Sequence, residues 1–196
     1  ARSRNGGQTW TVLNKGLDYR DAGYRAAGGV FIGMLPTRPS VLLRSNQASQ
    51  ILLSTDSGES WAHSYSNPAI TDTYADFTYD PQKPELVYTA VGGNNGILTE
   101  DYANPRVTAN LILRGTYNDV ARSYSWQVLL DDLGTEETSS VQSMDVLIAG
   151  SERFLYLTTS NGLFRGKVQD GAASTFINAL MPVSSAPGLP PKRYLE

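Results

Sequence analysis

Acidic, basic and tyrosine side chains gather in two short stretches that could form a ligand site. The first stretch, residues 18–25, and the second, residues 72–76, both precede strand-like runs. Arg binds carboxylates with a rigid two-pronged fork, and Tyr offers a ring face and a hydroxyl. This combination suits a sugar or an acidic peptide, whereas the alternative is a solvated loop with local ion pairs. The candidate binding residues are Asp18, Tyr19, Arg20, Asp21, Arg25, Asp72 and Tyr74.

The same stretches hold carboxylates that could hydrolyse a glycosidic bond. Such hydrolysis generally needs two carboxyl groups on opposite sides of a cleft. Asp18 or Asp21 could supply one, and Asp72 or Asp76 the other, although nothing in their spacing shows that they meet. A glycosidase and a non-catalytic binding surface are therefore both open hypotheses, and we assign no catalytic residue.

Other reactive side chains are scarce. His63 is the only histidine and there is no cysteine, so neither a multi-histidine site nor a thiolate metal site can form. The glycine-rich stretch at 92–96 lacks the Lys and Ser/Thr of a phosphate-binding loop. We therefore expect no metal and no cofactor.

Composition limits the class of partner. The chain has 196 residues, of which 40% are hydrophobic and 18% charged, and its net charge is −3. It has no polybasic stretch, which argues against nucleic acid as a partner. No apolar run approaches the roughly 20 residues of a membrane-spanning helix, so we expect no membrane insertion.

The elements that would position these residues repeat along the chain. Trp10, Trp61, Trp126 and Phe176 each open a strand-like run, at intervals of 51, 65 and 50 residues. Three strand-like runs precede each of the last three aromatic residues, so a unit contains four strands. A period near 50 is typical of propeller blades. This pattern predicts an all-β fold over residues 1–181, followed by a Pro-rich extension at 182–196.

The second unit is longer than the others. Either Ile97–Thr99 or Leu111–Leu113 could be its third strand, and we predict an insertion between about Asn94 and Ser125. The stretch "TYNDVARSYSW" could form a helical turn, but we interpret it as a long connection between the third and fourth strands.

A short turn motif occurs twice at the start of the aromatic runs. In "STDSGESW", Asp56 can accept hydrogen bonds within the turn, and Ser54 can satisfy another local polar group. Gly58 can take a positive φ, and the Trp61 ring can cover the hairpin base. Each residue type thus has a structural role without a ligand. A near copy, "SRNGGQTW", carries Ser3, Asn5, Gly7 and Trp10 at the same spacing.

Both octapeptides resemble the Asp box, or BNR repeat, with Asn5 in place of the usual Asp. Asp boxes occur in sialidases, sortilin-like receptors, xyloglucan-degrading glycosidases and a photosystem II assembly factor. The resemblance implies a β-propeller of four-stranded antiparallel blades, and a β-sandwich is the alternative. It also implies that the box stabilises the fold away from the binding face. The sialidase Arg-Ile-Pro-like motif has no match in "LPTRPS", and Tyr19, Tyr24 and Tyr74 are unremarkable candidates for the sialidase nucleophile.

About three to four blades fit in this chain, so we expect an incomplete ring. We expect a non-catalytic scaffold or recognition module in a larger extracellular, periplasmic or cell-envelope assembly. A sialidase-like or xyloglucanase-like glycosidase fragment is the alternative. Partners would be other protein chains or the remainder of the same chain, with carbohydrate as a further candidate. An exposed edge at Phe154–Leu157 and the Pro-rich extension are the predicted contacts.

Overall fold

The computed structural model describes residues 1–13, 31–46, 50–66, 74–91, 111–130, 141–159, 162–168 and 175–178. Within these ranges the chain is all-β, with strands and no helix. The strands form three antiparallel sheets of four, and each sheet consists of four consecutive strands. The predicted fold class is therefore confirmed at the level of four-stranded antiparallel sheets.

Sheet I contains β1 (Ile32–Met34), β2 (Leu42–Asn46), β3 (Gln50–Ser54) and β4 (Ala62–Ser66). These strands are hydrogen-bonded in chain order. A tight turn joins β1 to β2, because the Leu35 amide donates to the Val41 carbonyl and the Arg38 amide to the Leu35 carbonyl. Since side chains alternate along a strand, Leu43 points to the face opposite Leu42.

Sheet II contains β5 (Tyr74–Tyr79), β6 (Leu86–Val91), β7 (Ile112–Asn118) and β8 (Ser123–Leu130). Of the two candidates for the third strand, the structure places β7 at the second, whereas Ile97–Thr99 lies outside the described residues. The sheet is again an antiparallel meander in chain order.

One expectation about sheet II is wrong, and another is narrowed. The predicted long connection is a tight hairpin, in which Tyr117 pairs with Tyr124 and Asn118 with Ser123. Asn118 Oδ1 accepts a hydrogen bond from the Ala121 amide, and Arg122 takes a φ of 52° to complete the turn. Because the turn ends there, β8 begins three residues before Trp126. The predicted insertion between about Asn94 and Ser125 is therefore limited to the connection between β6 and β7, of which residues 92–110 lie outside the described part.

Sheet III contains β9 (Val141–Ala149), β10 (Glu152–Thr159), β11 (Gly162–Val168) and β12 (Thr175–Asn178). β10 lies inside this sheet, paired with β9 on one side and β11 on the other. Leu155 and Leu157 are fully buried. The predicted exposed edge at Phe154–Leu157 is therefore wrong, because both flanks of β10 are already occupied.

Two apolar cores lie between consecutive sheets. The first joins sheets I and II through residues such as Leu43, Ile51 and Leu113, and the second joins sheets II and III through residues such as Tyr88 and Leu155. Sheet II is thus covered on both faces, which explains why apolar residues occupy successive positions in β6 and β7. Burial of these side chains is the main stabilising contribution.

Two polar contacts fix how neighbouring sheets meet. Trp126 Nε1 of β8 donates to Ser64 Oγ of β4 over 2.9 Å. Thr78 Oγ1 of β5 donates to the Met144 carbonyl of β9 over 2.6 Å. The first strands of the sheets also lie together, since β1 contacts β5 and β5 contacts β9. Because the sheets pack in chain order, each of these contacts joins two consecutive sheets.

No helix in the part of the chain that the structure describes has the length and apolar character needed to cross a bilayer. The glycine-rich stretch at 92–96 and the Pro-rich extension at 182–196 lie outside the described residues.

Candidate functional site

The candidate binding residues fall almost entirely outside the described part of the chain. This applies to Asp18, Tyr19, Arg20, Asp21, Arg25 and Asp72. Tyr74 is the first residue of β5, and only its backbone is described. A ligand site built from these two stretches therefore stays a prediction.

The turn at 54–61 is held by two polar side chains. Ser54 Oγ accepts hydrogen bonds from the Gly58 amide at 2.8 Å and from the Asp56 amide at 3.3 Å. Its own hydroxyl donates to Asp56 Oδ1. Asp56 Oδ1 also accepts from the Ser60 amide at 2.9 Å, and Oδ2 accepts from the Ser60 hydroxyl. Ser54 is 1% exposed, so its hydroxyl satisfies backbone groups that water cannot reach.

These contacts change the pKa of Asp56. Burial alone would raise it, but hydrogen bonds from the side chain and backbone of Ser60, from Ser54 and from the Glu59 backbone outweigh burial. Together they lower the pKa of Asp56 to about 2, from an ordinary value of 3.8. A carboxyl with this pKa is ionised at neutral pH and cannot serve as a general acid there.

The turn at 3–10 repeats the same arrangement. Ser3 Oγ accepts from the Gly7 amide at 2.7 Å and the Asn5 amide at 3.3 Å. Asn5 Oδ1 accepts from the Thr9 amide at 2.9 Å, and its amide group donates to Thr9 Oγ1. Asn5 therefore makes the contacts that Asp56 makes, without the charge.

Glycine and tryptophan complete both turns. Gly7 has a φ of +90° and Gly58 a φ of +85°, a region that favours glycine. Trp10 Nε1 donates to the Gly7 carbonyl over 3.0 Å. Around Gly58 lie the side chains of Leu13, Leu42 and Trp61. The leading hairpin, which we define as residues 1–13, thus packs on the face of sheet I that carries Leu42.

Arginine side chains connect the turns to one another, which the sequence analysis did not predict. Arg2 of the leading hairpin donates to the Ser57 carbonyl and pairs with Glu59. Arg122, in the β7–β8 turn, donates to the carbonyl and hydroxyl of Thr55. Three hairpin turns therefore lie side by side along one rim, with the 54–61 turn in the middle.

Several carboxylates in the described ranges have structural partners. Asp80 is fully buried, where Oδ1 accepts from the Gln82 and Lys83 amides and Oδ2 pairs with Arg153 of β10. Asp76 has a φ of 33° at an irregularity of β5, and its Oδ1 accepts from the Phe77 amide.

Surface carboxylates in the same ranges form ion pairs. Asp119 pairs with Arg38, and Glu152 pairs with Lys167. Among the described residues, no three His, Asp or Glu side chains are grouped as metal ligands would be. His63 is exposed on β4. Turns and ion pairs thus account for these carboxylates.

One face of sheet I presents apolar side chains to solvent. Ile32 and Met34 of β1 are 64% and 52% exposed, on the side opposite the core. Trp10 of the leading hairpin is 64% exposed, and Val12 is exposed too. We call these four residues the open face.

We compared the chain with models of protein families and with curated protein sequences, and neither comparison found a match. Function must therefore be argued from the chain itself.

Proposed function

We propose that this chain is part of an Asp-box β-propeller that acts as a non-catalytic scaffold or recognition module in a larger extracellular, periplasmic or cell-envelope assembly. The observation that carries the proposal is the open face. Sheet II is covered on both sides by apolar packing, whereas sheet I has Ile32 and Met34 exposed on the side away from sheet II. Large apolar side chains that one face of a sheet leaves exposed can mark a contact with another protein segment.

The arrangement of the sheets supports the propeller part of the proposal. Each sheet is a four-stranded meander, and successive sheets pack face to face with their first strands adjacent. Blades of a propeller have this relation around a central axis. The leading hairpin has the same turn as β3–β4 and lies beyond sheet I, as the last hairpin of a preceding blade would.

The partner that fits the open face is another β-sheet. The leading hairpin has a single antiparallel backbone bridge, between Arg2 and Thr11, and is not part of a described sheet. Trp10 and Val12 are left exposed there. Strands that paired with this hairpin would cover those side chains together with Ile32 and Met34. Such a sheet belongs either to the remainder of the same polypeptide or to another protein chain.

Photo-crosslinking tests the proposed contact. A photoreactive phenylalanine analogue replaces Met34 in the full-length gene product, in the cells that produce it. The control position is Val120, which is 97% exposed at the tip of the β7–β8 turn. We expect position 34, and not position 120, to crosslink to a protein segment that mass spectrometry maps to a β-strand. Equal labelling at both positions, or none at position 34, would contradict the proposal.

Turnover assays test the alternative activity. The full-length protein is incubated with a sialoside and with a β-glucan, and hydrolysis is measured. We expect no hydrolysis above background. Hydrolysis that is lost in Asp18→Asn or Asp72→Asn would replace the scaffold proposal with a glycosidase.

A further inference from the structure

Three tyrosine hydroxyls meet in the core between sheets I and II. Tyr79 ends β5, and Tyr117 and Tyr124 face each other across the β7–β8 hairpin, with ring centroids 5.1 Å apart. Tyr117 is 8% exposed and Tyr124 is 7% exposed. The Tyr79 hydroxyl lies against the backbone of β1, since a Cβ at Gly33 would be 3.2 Å from it. The hydroxyls are therefore enclosed by strands of both sheets.

These hydroxyls have no hydrogen bond of ordinary geometry to the residues that the structure describes, although the hydroxyls of Tyr79 and Tyr124 lie close enough to interact with each other. All three oxygen atoms are buried, and none has a hydrogen bond of ordinary length and angle to any described residue. A buried polar group without a partner costs free energy, and buried groups in native proteins are nearly always hydrogen-bonded. One such hydroxyl could be a local irregularity, but three in one cluster indicate a shared partner.

The electrostatics of the cluster agree with its enclosure. Burial raises the pKa of Tyr79 to about 12. Burial also raises the pKa of Tyr124, and the neighbouring Tyr79 and Tyr117 raise it further. Tyr79 and Tyr124 are therefore neutral at physiological pH, so the partner that the cluster needs is a neutral one that can both donate and accept. A phenol hydroxyl has one proton to donate and two lone pairs.

We propose that Tyr79, Tyr117 and Tyr124 together bind one internal water molecule between sheets I and II. Buried waters typically make about three hydrogen bonds to groups that would otherwise be unsatisfied. One water matches this cluster, because it can donate two hydrogen bonds and accept one from the third hydroxyl. The site joins β5 to the β7–β8 hairpin at the boundary with β1. It is independent of the proposed propeller function.

A crystal structure at high resolution tests the water directly. We expect a spherical density peak at about 2.7–2.8 Å from at least two of the three hydroxyl oxygens. In Tyr124→Phe, which removes one ligand and keeps the ring, we expect the peak to weaken or vanish. Absence of the peak in the wild type, or an unchanged peak in the variant, would overturn the proposal.

Stability measurements give a second, signed test. If water satisfies the hydroxyls, Tyr117→Phe and Tyr124→Phe should each lower the folding equilibrium constant by roughly five- to tenfold. The double variant should lose less than the product of the two factors, because the first substitution already releases the water. If the hydroxyls are unsatisfied, each substitution should leave stability unchanged or increase it, which would refute the site. Tyr156→Phe, in sheet III, is the matched control.

Discussion

Replacing Asp56 should separate the geometry of the 54–61 turn from its charge. Asp56→Ala removes the acceptor of the Ser60 amide and hydroxyl and one partner of the Ser54 hydroxyl. The amide and hydroxyl of Ser60 lie near the surface, so water can replace Asp56 as their partner. The substitution therefore removes only the net contribution of these hydrogen bonds to stability. We expect the free energy of unfolding to fall by about 1–2 kcal/mol.

Asp56→Asn is the matched variant, because the chain already has an asparagine at the equivalent position of the turn at 3–10. Asn5 makes the same contacts in the turn at 3–10. The asparagine keeps the hydrogen bond from the Ser60 amide but loses the charge, and charge-assisted bonds are roughly twice as strong as neutral ones. We therefore expect Asp56→Asn to cost about half as much as Asp56→Ala.

The charge contribution also depends on pH. The folded protein holds the pKa of Asp56 at about 2, against an ordinary value of 3.8. That difference corresponds to at most ~2.4 kcal/mol, and solvent screening at this exposed side chain reduces it to ~1 kcal/mol. Because the folded pKa is the lower one, this stability is present above about pH 4 and is lost as the pH falls toward 2.

Urea unfolding followed by tryptophan fluorescence measures both effects. At pH 7 we expect the order wild type, Asp56→Asn, Asp56→Ala in decreasing stability. Near pH 3 the gap between wild type and Asp56→Asn should narrow, whereas Asp56→Ala should stay the least stable. Equal stability of Asp56→Ala and wild type at pH 7 would refute the reasoning, as would a gap to Asp56→Asn that does not change with pH.

Three further substitutions test packing and strain by the same unfolding assay. Gly58→Ala should lower the free energy of unfolding by ~1–2 kcal/mol, because alanine is strained at the left-handed φ. A Cβ at this position has ordinary contacts. A loss of stability much larger than in the solvent-exposed control Gly150→Ala would therefore contradict this explanation. Gly115→Ala should cost ~1–3 kcal/mol by overpacking, because its Cβ would lie 2.8 Å from the Trp126 ring; failure of Trp126→Phe to recover part of that loss would argue against the clash. Arg153→Met should lower the free energy of unfolding by about 3 kcal/mol, because it leaves the charge of Asp80 buried without a partner. Adding Asp80→Asn should recover much of this stability, and no recovery would exclude the unpaired charge as the cause.

The sheets could be predicted from the sequence because their signals are local. The repeat of Trp61, Trp126 and Phe176 predicted where the fourth strand of each unit begins, and β4, β8 and β12 begin within three residues of these positions. The two turn motifs were informative because Ser, Asp or Asn, and Gly each act within four residues of one another.

The β7–β8 hairpin was missed because its turn, at Asn118–Arg122, contains neither glycine nor proline. An arginine adopts the left-handed φ instead, which is uncommon for a long side chain. The facing pair Tyr117 and Tyr124 was the available signal, since aromatic residues often pair across antiparallel strands. Contacts between sheets, such as Asp80 with Arg153, join residues too far apart for a single sequence to reveal.

The meander order of the sheets has a consequence for how the protein is made. Each sheet completes its backbone ladder from consecutive strands, so a nascent chain can form one sheet as soon as that sheet's own four strands have left the ribosome. Structures with such local pairing fold faster than those that wait for distant strands. Sheet I would remain without its second apolar layer until sheet II had been synthesised, and sheet II until sheet III. Folding would therefore advance along the chain during translation, each sheet serving as the template on which the next one docks.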